Sequence, residues 1–156
     1  MRWQRISADR DEAVHLLVFQ TGDEIATILR EFAVREKFGV CRFTAIGAVG
    51  DLVLGYFDVD RREYRRLPMV EQLEVLTLAG NITEADGQPR IHAHIVVSRP
   101  DGSTLGGHLI EAHVRPTLEL FLTAWPANIH RRLDEQSGLM LIDLPCSEPR
   151  PDGSKP

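Results

Sequence analysis

Two cysteines, Cys41 and Cys146, are too few and too far apart for a disulfide framework. The chain must therefore hold itself together by burial, and a reducing cytoplasm is the expected setting. Lysine is nearly missing as well: with only Lys37 and Lys155 present, positive charge rests almost wholly on arginine. Arginine favours planar, bidentate or stacked contacts over loose ion pairing. No run approaches the roughly 18 consecutive apolar residues of a membrane span, and Met1-Arg2-Trp3-Gln4-Arg5 leads into polar sequence without an apolar signal core. Neither secretion nor membrane insertion is expected. A basic surplus is also absent. With 18 basic against 23 acidic residues and a formal net charge of −5, a surface built chiefly to neutralise phosphates is disfavoured, and any nucleic-acid contact has to be local.

What is present is the composition of one ordinary globular domain, 43% hydrophobic and 26% charged over 156 residues. A chain of this size buries roughly two thirds of its unfolded surface and needs no metal for stability alone. Ala13 to Phe19 reads as a first strand, with His15 inside it as a packed core residue. Thr21 and Glu24 have the spacing of a capping box, and Ile25, Ile28, Leu29, Phe32 and Ala33 recur at helical period. An amphipathic helix over about 22 to 37 is expected, stopped by Gly39 in the left-handed region. Val40 to Ile46 and Leu52 to Val59 then read as two strands, with a tight bend through Gly47-Ala48-Val49-Gly50-Asp51. Leu73 to Ile82 and Ile91 to Arg99 are extended, with a loop from Glu84 to Pro89 between them. Leu105 to Val114 and Thr117 to Trp125 are two more strands broken at Pro116, and Leu139 to Leu144 is the last.

Many hairpin-linked strands around one clear helix define an α+β fold with a mainly antiparallel sheet. One domain over residues 1–144 is expected, followed by a disordered tail over 145–156 that is rich in proline, glycine and charge. One helix leaves part of the sheet uncovered, so burial against further copies of the chain is expected. Residues 60–66 read DRREYRR. Arg61, Arg62, Arg65 and Arg66 are the strongest local basic patch for an acidic partner or phosphate backbone, or else a solvated turn.

The most informative stretch runs from Ile91 to His108. Strand side chains alternate faces, so His92 and His94 share one face while Ile91, Ala93, Ile95 and Val97 mark the core face. A three-residue loop Pro100-Asp101-Gly102 pairs Arg99 with Ser103 and sets His94 opposite His108, so that three imidazoles converge. A two-residue Asp101-Gly102 loop moves His108 to the other face. Gly106 and Gly107 remove bulk beside His108, and three neutral imidazoles suit zinc or another divalent transition metal. Glu111 and His113 have the opposite strand parity to His108 and are placed outside the ligand set, Glu111 as a site-lining residue; His130 reads as surface.

Together, Leu73-Glu74-Val75-Leu76-Thr77-Leu78-Ala79-Gly80-Asn81-Ile82, His92-Ala93-His94, Pro100-Asp101-Gly102, Gly106-Gly107-His108-Leu109 and Thr117-Leu118-Glu119 resemble the plant-and-prokaryote-conserved (PPC) domain, from about Val14 to Leu144. The resemblance implies an α+β fold, a homotrimer, a zinc-associated site on His92, His94 and His108, and an association with DNA. The Arg-Gly-Arg-Pro core of the AT-hook that plant members carry does not occur in the sequence. Three readings follow: a trimeric metal-binding module with a regulatory or DNA-associated role, a metal-dependent enzyme of hydrolase type with Glu111 moving protons, and a metal-free interaction scaffold.

Overall fold

The computed structural model describes residues 1–8 and 11–144. Cys146 and the tail expected over 145–156 lie outside the described residues. Among the described residues nine strands and one helix follow in the order β1 (Arg2–Ala8), β2 (Ala13–Gln20), α1 (Ile25–Glu36), β3 (Val40–Asp58), β4 (Glu63–Met69), β5 (Leu73–Ala85), β6 (Gln88–Ser98), β7 (Thr104–Trp125), β8 (Arg131–Asp134) and β9 (Leu139–Ile142). Seven strands form one antiparallel sheet in the order β1-β2-β7-β6-β5-β3-β4, and β8 pairs with β9 separately. The α+β class, dominated by antiparallel sheet, is the observed one. The described residues include no helix long and apolar enough to cross a membrane.

Two long strands organise the sheet. β3 pairs with β5 along its first half and with β4 along its second, while β7 runs beside it throughout. Because β7 also pairs with β6, and β6 with β5, the pairings close into a circuit. Strands of 19 and 22 residues can follow such a curve only by bending, and the register shifts between them at Gly47/Val49, Val49/Asp51 and Val53/Leu54 are the bulges that do it. This corrects two expectations. The glycine segment between Ile46 and Leu52 is not a turn joining two strands but a bulged stretch within β3, where Gly47 has φ 149° and a side chain would meet the Thr117 carbonyl and Leu118. Pro116 likewise does not end a strand, since pairing resumes at Thr117 and β7 is continuous.

The helix begins later than its capping motif suggests. Glu24 is the N-cap, and its carboxylate accepts from the amides of Ala26 (3.1 Å) and Thr27 (2.7 Å). Thr21 instead donates to the Pro116 carbonyl. At the other end Lys37, with φ 57°, takes the left-handed position expected of Gly39. Gly39 packs against Asn128 and the Ala127 carbonyl, with no room for a side chain. Ile25, Leu29, Phe32 and Ala33 bury one face of α1 in a core shared with Leu17, Phe19, Ile95, Leu109, Leu118 and Leu120. His15 is buried there among the rings of Trp3, Phe32 and Phe38.

The segment expected as a loop between β5 and β6 is a tight hairpin: Asp86 and Gly87 both have positive φ, 52° and 73°, the pattern of a two-residue turn that continues the strands' twist. Gly80 lies where three strands meet. A β-carbon added there would stand 2.5 Å from the Phe43 ring, 2.6 Å from the His92 carbonyl and 2.9 Å from the Ala93 β-carbon. Gly80→Ala is therefore expected to destabilise the chain by about 1–3 kcal/mol, the usual cost of overpacking. A urea titration with an unchanged midpoint would contradict this packing.

Candidate metal centre

The site depends on the β6–β7 hairpin. Gly102 takes the left-handed conformation (φ 81°), the Arg99 amide donates to the Ser103 carbonyl at 2.9 Å, and Asp101 Oδ1 accepts from the Ser103 amide at 2.9 Å. Arg99 is held in turn by a guanidinium–carboxylate pair with Glu71 at 2.7 Å. This is the three-residue loop, and it puts His94 directly opposite His108. On β6 the buried residues are Ala93, Ile95 and Val97, so His92 and His94 point to the exposed face.

The three imidazoles form a nearly equilateral group. Ring centroids are 5.2 Å apart for His92 and His94, 5.3 Å for His92 and His108, and 5.5 Å for His94 and His108. One ligating atom from each lies within 4.8 Å of the other two. Tyr64 on β4 stacks against His108 at 4.8 Å. Gly55 makes room for that ring, because a β-carbon there would meet Tyr64 and Ile110.

Charge on His92 and His108 is disfavoured. Burial, the other two imidazoles and Arg90 lower the His108 pKa to about 4. Burial, Arg131 and His94 lower that of His92. Neutral imidazole is the metal-binding form, and His108 Nδ1 is buried without a hydrogen-bond partner. A buried acceptor or donor left unpaired costs free energy, a cost that coordination through that atom would remove. The residues present fit a divalent transition metal.

The other residues singled out by sequence are distributed less simply. Gly106 pairs with Val96 on the histidine face, whereas Gly107 lies against Leu54 on the core side, so only one of the two glycines opens space there. Glu111 does not keep the parity of a regular strand. The bulge that pairs Leu54 with Leu109 and Val53 with Glu111 inserts Ile110, and burial passes from Leu109 to Ala112. Glu111 thereby reaches the same side as His108, where it pairs with Arg66 at 3.6 Å. His113 is bonded to Asp51 at 2.7 Å, which raises its pKa, and His130 is exposed beside Glu84. The arginine patch is divided. Arg66 lies opposite Gly55 and Arg65 opposite Tyr56, so they project to opposite faces. Arg61 stays beside Asp58 in the turn, and Arg62 has φ 54°.

Three contributors escaped sequence reasoning: Arg90, Arg131 and Met140. Arg131 crosses from β8 and donates to Asn81 (2.8 Å), Thr83 (2.7 Å) and the Met140 carbonyl (2.8 Å). Asn81 is the residue paired with His92. The spacing of Arg131 from Asn81 and His92 carries no signal, because the contact is made across strands far apart in sequence.

A curved antiparallel sheet with one helix and three imidazoles converging on its outer face defines a small histidine-centred β domain. Residues 6–126 match the Plants and Prokaryotes Conserved (PCC) domain, and the chain belongs to that family. Similar solved structures include a "putative DNA-binding protein" from Bacteroides thetaiotaomicron, with 27% identity, coverage of 90% of this chain and 96% of the other, and TM-score 0.83. A metal-containing protein from Archaeoglobus fulgidus has 30% identity, coverage of 92% and 99%, and TM-score 0.80. A plant- and prokaryote-conserved (PPC) protein from Pyrococcus horikoshii has 28% identity, coverage of 85% and 93%, and TM-score 0.79. A comparison with curated proteins gave no match.

The lowered His108 pKa sets a pH dependence. The unfolded chain takes up this proton near 6.5, the folded chain only near 4. Between those values the unfolded state binds more protons, so this contribution to stability is complete above about pH 6.5 and is lost as pH falls towards 4. Chelator-stripped protein is expected to show a falling Tm from pH 7 to 4.5, with a shallower fall in His108→Gln. Equal slopes for the two proteins would refute the assignment to His108.

Proposed function

We propose that this protein is a trimeric, cytoplasmic PCC-domain module that holds a divalent transition metal, zinc by preference, on His92, His94 and His108, and acts in a regulatory or DNA-associated role. The observation that carries the reading is the convergence of three imidazoles, one with a buried unpartnered Nδ1. The metal-containing relative from Archaeoglobus fulgidus, similar over nearly the whole of both chains, supports it. Bound there, the ion supplies a Lewis-acidic centre, and three protein donors leave a coordination position for a ligand from elsewhere.

Support for self-association comes from the same face. Phe121 pairs with Thr44, Thr44 with Ala79, Ala79 with His94, and His94 with His108. Directly paired residues project to the same side, so the exposed Phe121 belongs to the histidine face. Exposed Ile46, Leu76 and Val96 extend it as an apolar area, the kind of surface that marks an interface. The DNA-associated role draws on the Bacteroides thetaiotaomicron relative and on the exposed arginines of the β3–β4 hairpin. Buried Cys41, its thiol pKa pushed up to about 12, is an inert core residue and is compatible with a reducing compartment.

Metal analysis of protein purified without a histidine tag is expected to give about one zinc per chain, and at least a tenfold lower content in His94→Ala. Zinc missing from both samples would end the metal reading. Light scattering is expected to give a trimer mass, with Phe121→Asp shifting it towards monomer. A monomeric parent protein would remove the assembly. Duplex DNA binding at low salt, weakened in Arg62→Ala/Arg65→Ala, is the expected sign of the DNA role.

A further inference from the structure

Beside the histidine cluster lies a cavity of about 570 Å³, within the size range of small-molecule sites. Its walls divide by chemistry. Arg30, Arg66 and Arg90 supply the charged side, while Ile91, Ile110 and Met140 supply the apolar side. His108 and its stacked Tyr64 form the boundary with the metal centre.

The positive charge here is poorly compensated. Arg30 and Arg90 have no ion-pair partner among the described residues. Arg66 reaches Glu111 only at 3.6 Å, with both side chains well exposed. Asp86 is the only acidic residue among the lining residues. Behind His92, Arg131 spends its donors on neutral oxygens, so its charge adds to the same field. In a chain of net charge −5, such a concentration beside a metal centre is an anion trap.

We propose that this cavity binds a small organic carboxylate, its anionic end on the Arg66 and Arg90 guanidiniums and its short apolar body against Ile91, Ile110 and Met140. The planar fork of a guanidinium matches a carboxylate in two parallel hydrogen bonds. Inorganic phosphate would use the arginines and leave the apolar wall unmatched. A nucleic-acid backbone would need a basic track along one face, whereas Arg65 projects away from Arg66 and Asp86 and Glu111 flank the cavity. The proposal deepens the metal reading by naming the class of ligand that sits beside the ion, but the guanidinium part stands without the ion.

The test is calorimetric titration of the full chain, zinc-loaded and chelator-stripped, with zinc content measured on the same samples. The probes are isovalerate, its neutral isostere isovaleramide, and inorganic phosphate. Saturable binding of isovalerate is expected, at least tenfold tighter than isovaleramide or phosphate. Arg66→Gln/Arg90→Gln is expected to weaken it at least tenfold while its Tm matches the parent. Zinc-loaded protein that binds no isovalerate overturns the proposal and leaves the metal reading intact. Isovalerate binding in protein that takes up no zinc supports the proposal and removes the metal reading. Phosphate binding as tightly as isovalerate, or an undiminished double variant, overturns the carboxylate assignment.

Discussion

Everything at the histidine centre depends on strand phase. A β-strand turns successive side chains to opposite faces, so a slip of one residue exchanges an entire face for the other. With one residue fewer in the β6–β7 loop, the partner of His94 would be a residue that now packs in the core, such as Leu109, and an imidazole would be driven inward. Local chemistry fixes the phase: Gly102 supplies the left-handed residue, Asp101 holds the Ser103 amide, and the Arg99–Glu71 pair ties the end of β6 to the start of β5. The site is thus built by backbone register, and its precision comes from a loop that touches none of its ligands.

The same register explains the electrostatics. Burial disfavours protonation of His92 and His108, the neighbouring imidazoles at ring separations near 5 Å oppose it as well, and Arg90 and Arg131 oppose it further. A cluster of this kind would gain nothing from being charged, and its buried Nδ1 gains nothing from solvent. The arginines nearby have the contrary effect on an anion, which they attract. Burial and the nearby positive charge hold His92 and His108 towards the neutral form, and the same arginines leave a positive field on the cavity side of the cluster.

Much of this was legible in the sequence because strand periodicity is short-range. The alternation from Ile91 to Val97 and the Pro-Asp-Gly loop were enough to pair His94 with His108. The helix was visible in its apolar spacing, but its ends were not, because a threonine in capping position can be diverted by a distant carbonyl, as Thr21 is by that of Pro116. Continuous β3 and β7 were hidden for a related reason. Glycine and proline signal interruption locally, whereas pairing on both edges carries the strand through Gly47 and Pro116. Polar β1 and the charged four-residue β8 lack the apolar alternation that betrays a strand. The bulge at Ile110, which returns Glu111 to the histidine face, is a matter of register against β3, and no spacing within β7 announces it.

The continuity of the apolar face with the histidines has a physical consequence for the proposed assembly. His92 and His94 are exposed in the single chain, while the exposed Phe121, Ile46, Leu76 and Val96 add apolar surface on the same face. A surface that covers those side chains also removes water from the imidazoles beside them. Removing water raises the cost of protonating imidazole and strengthens every interaction between an ion and its donors. Association through this face and metal capture at its edge would therefore favour one another, and by linkage each would raise the apparent affinity of the other by the same factor.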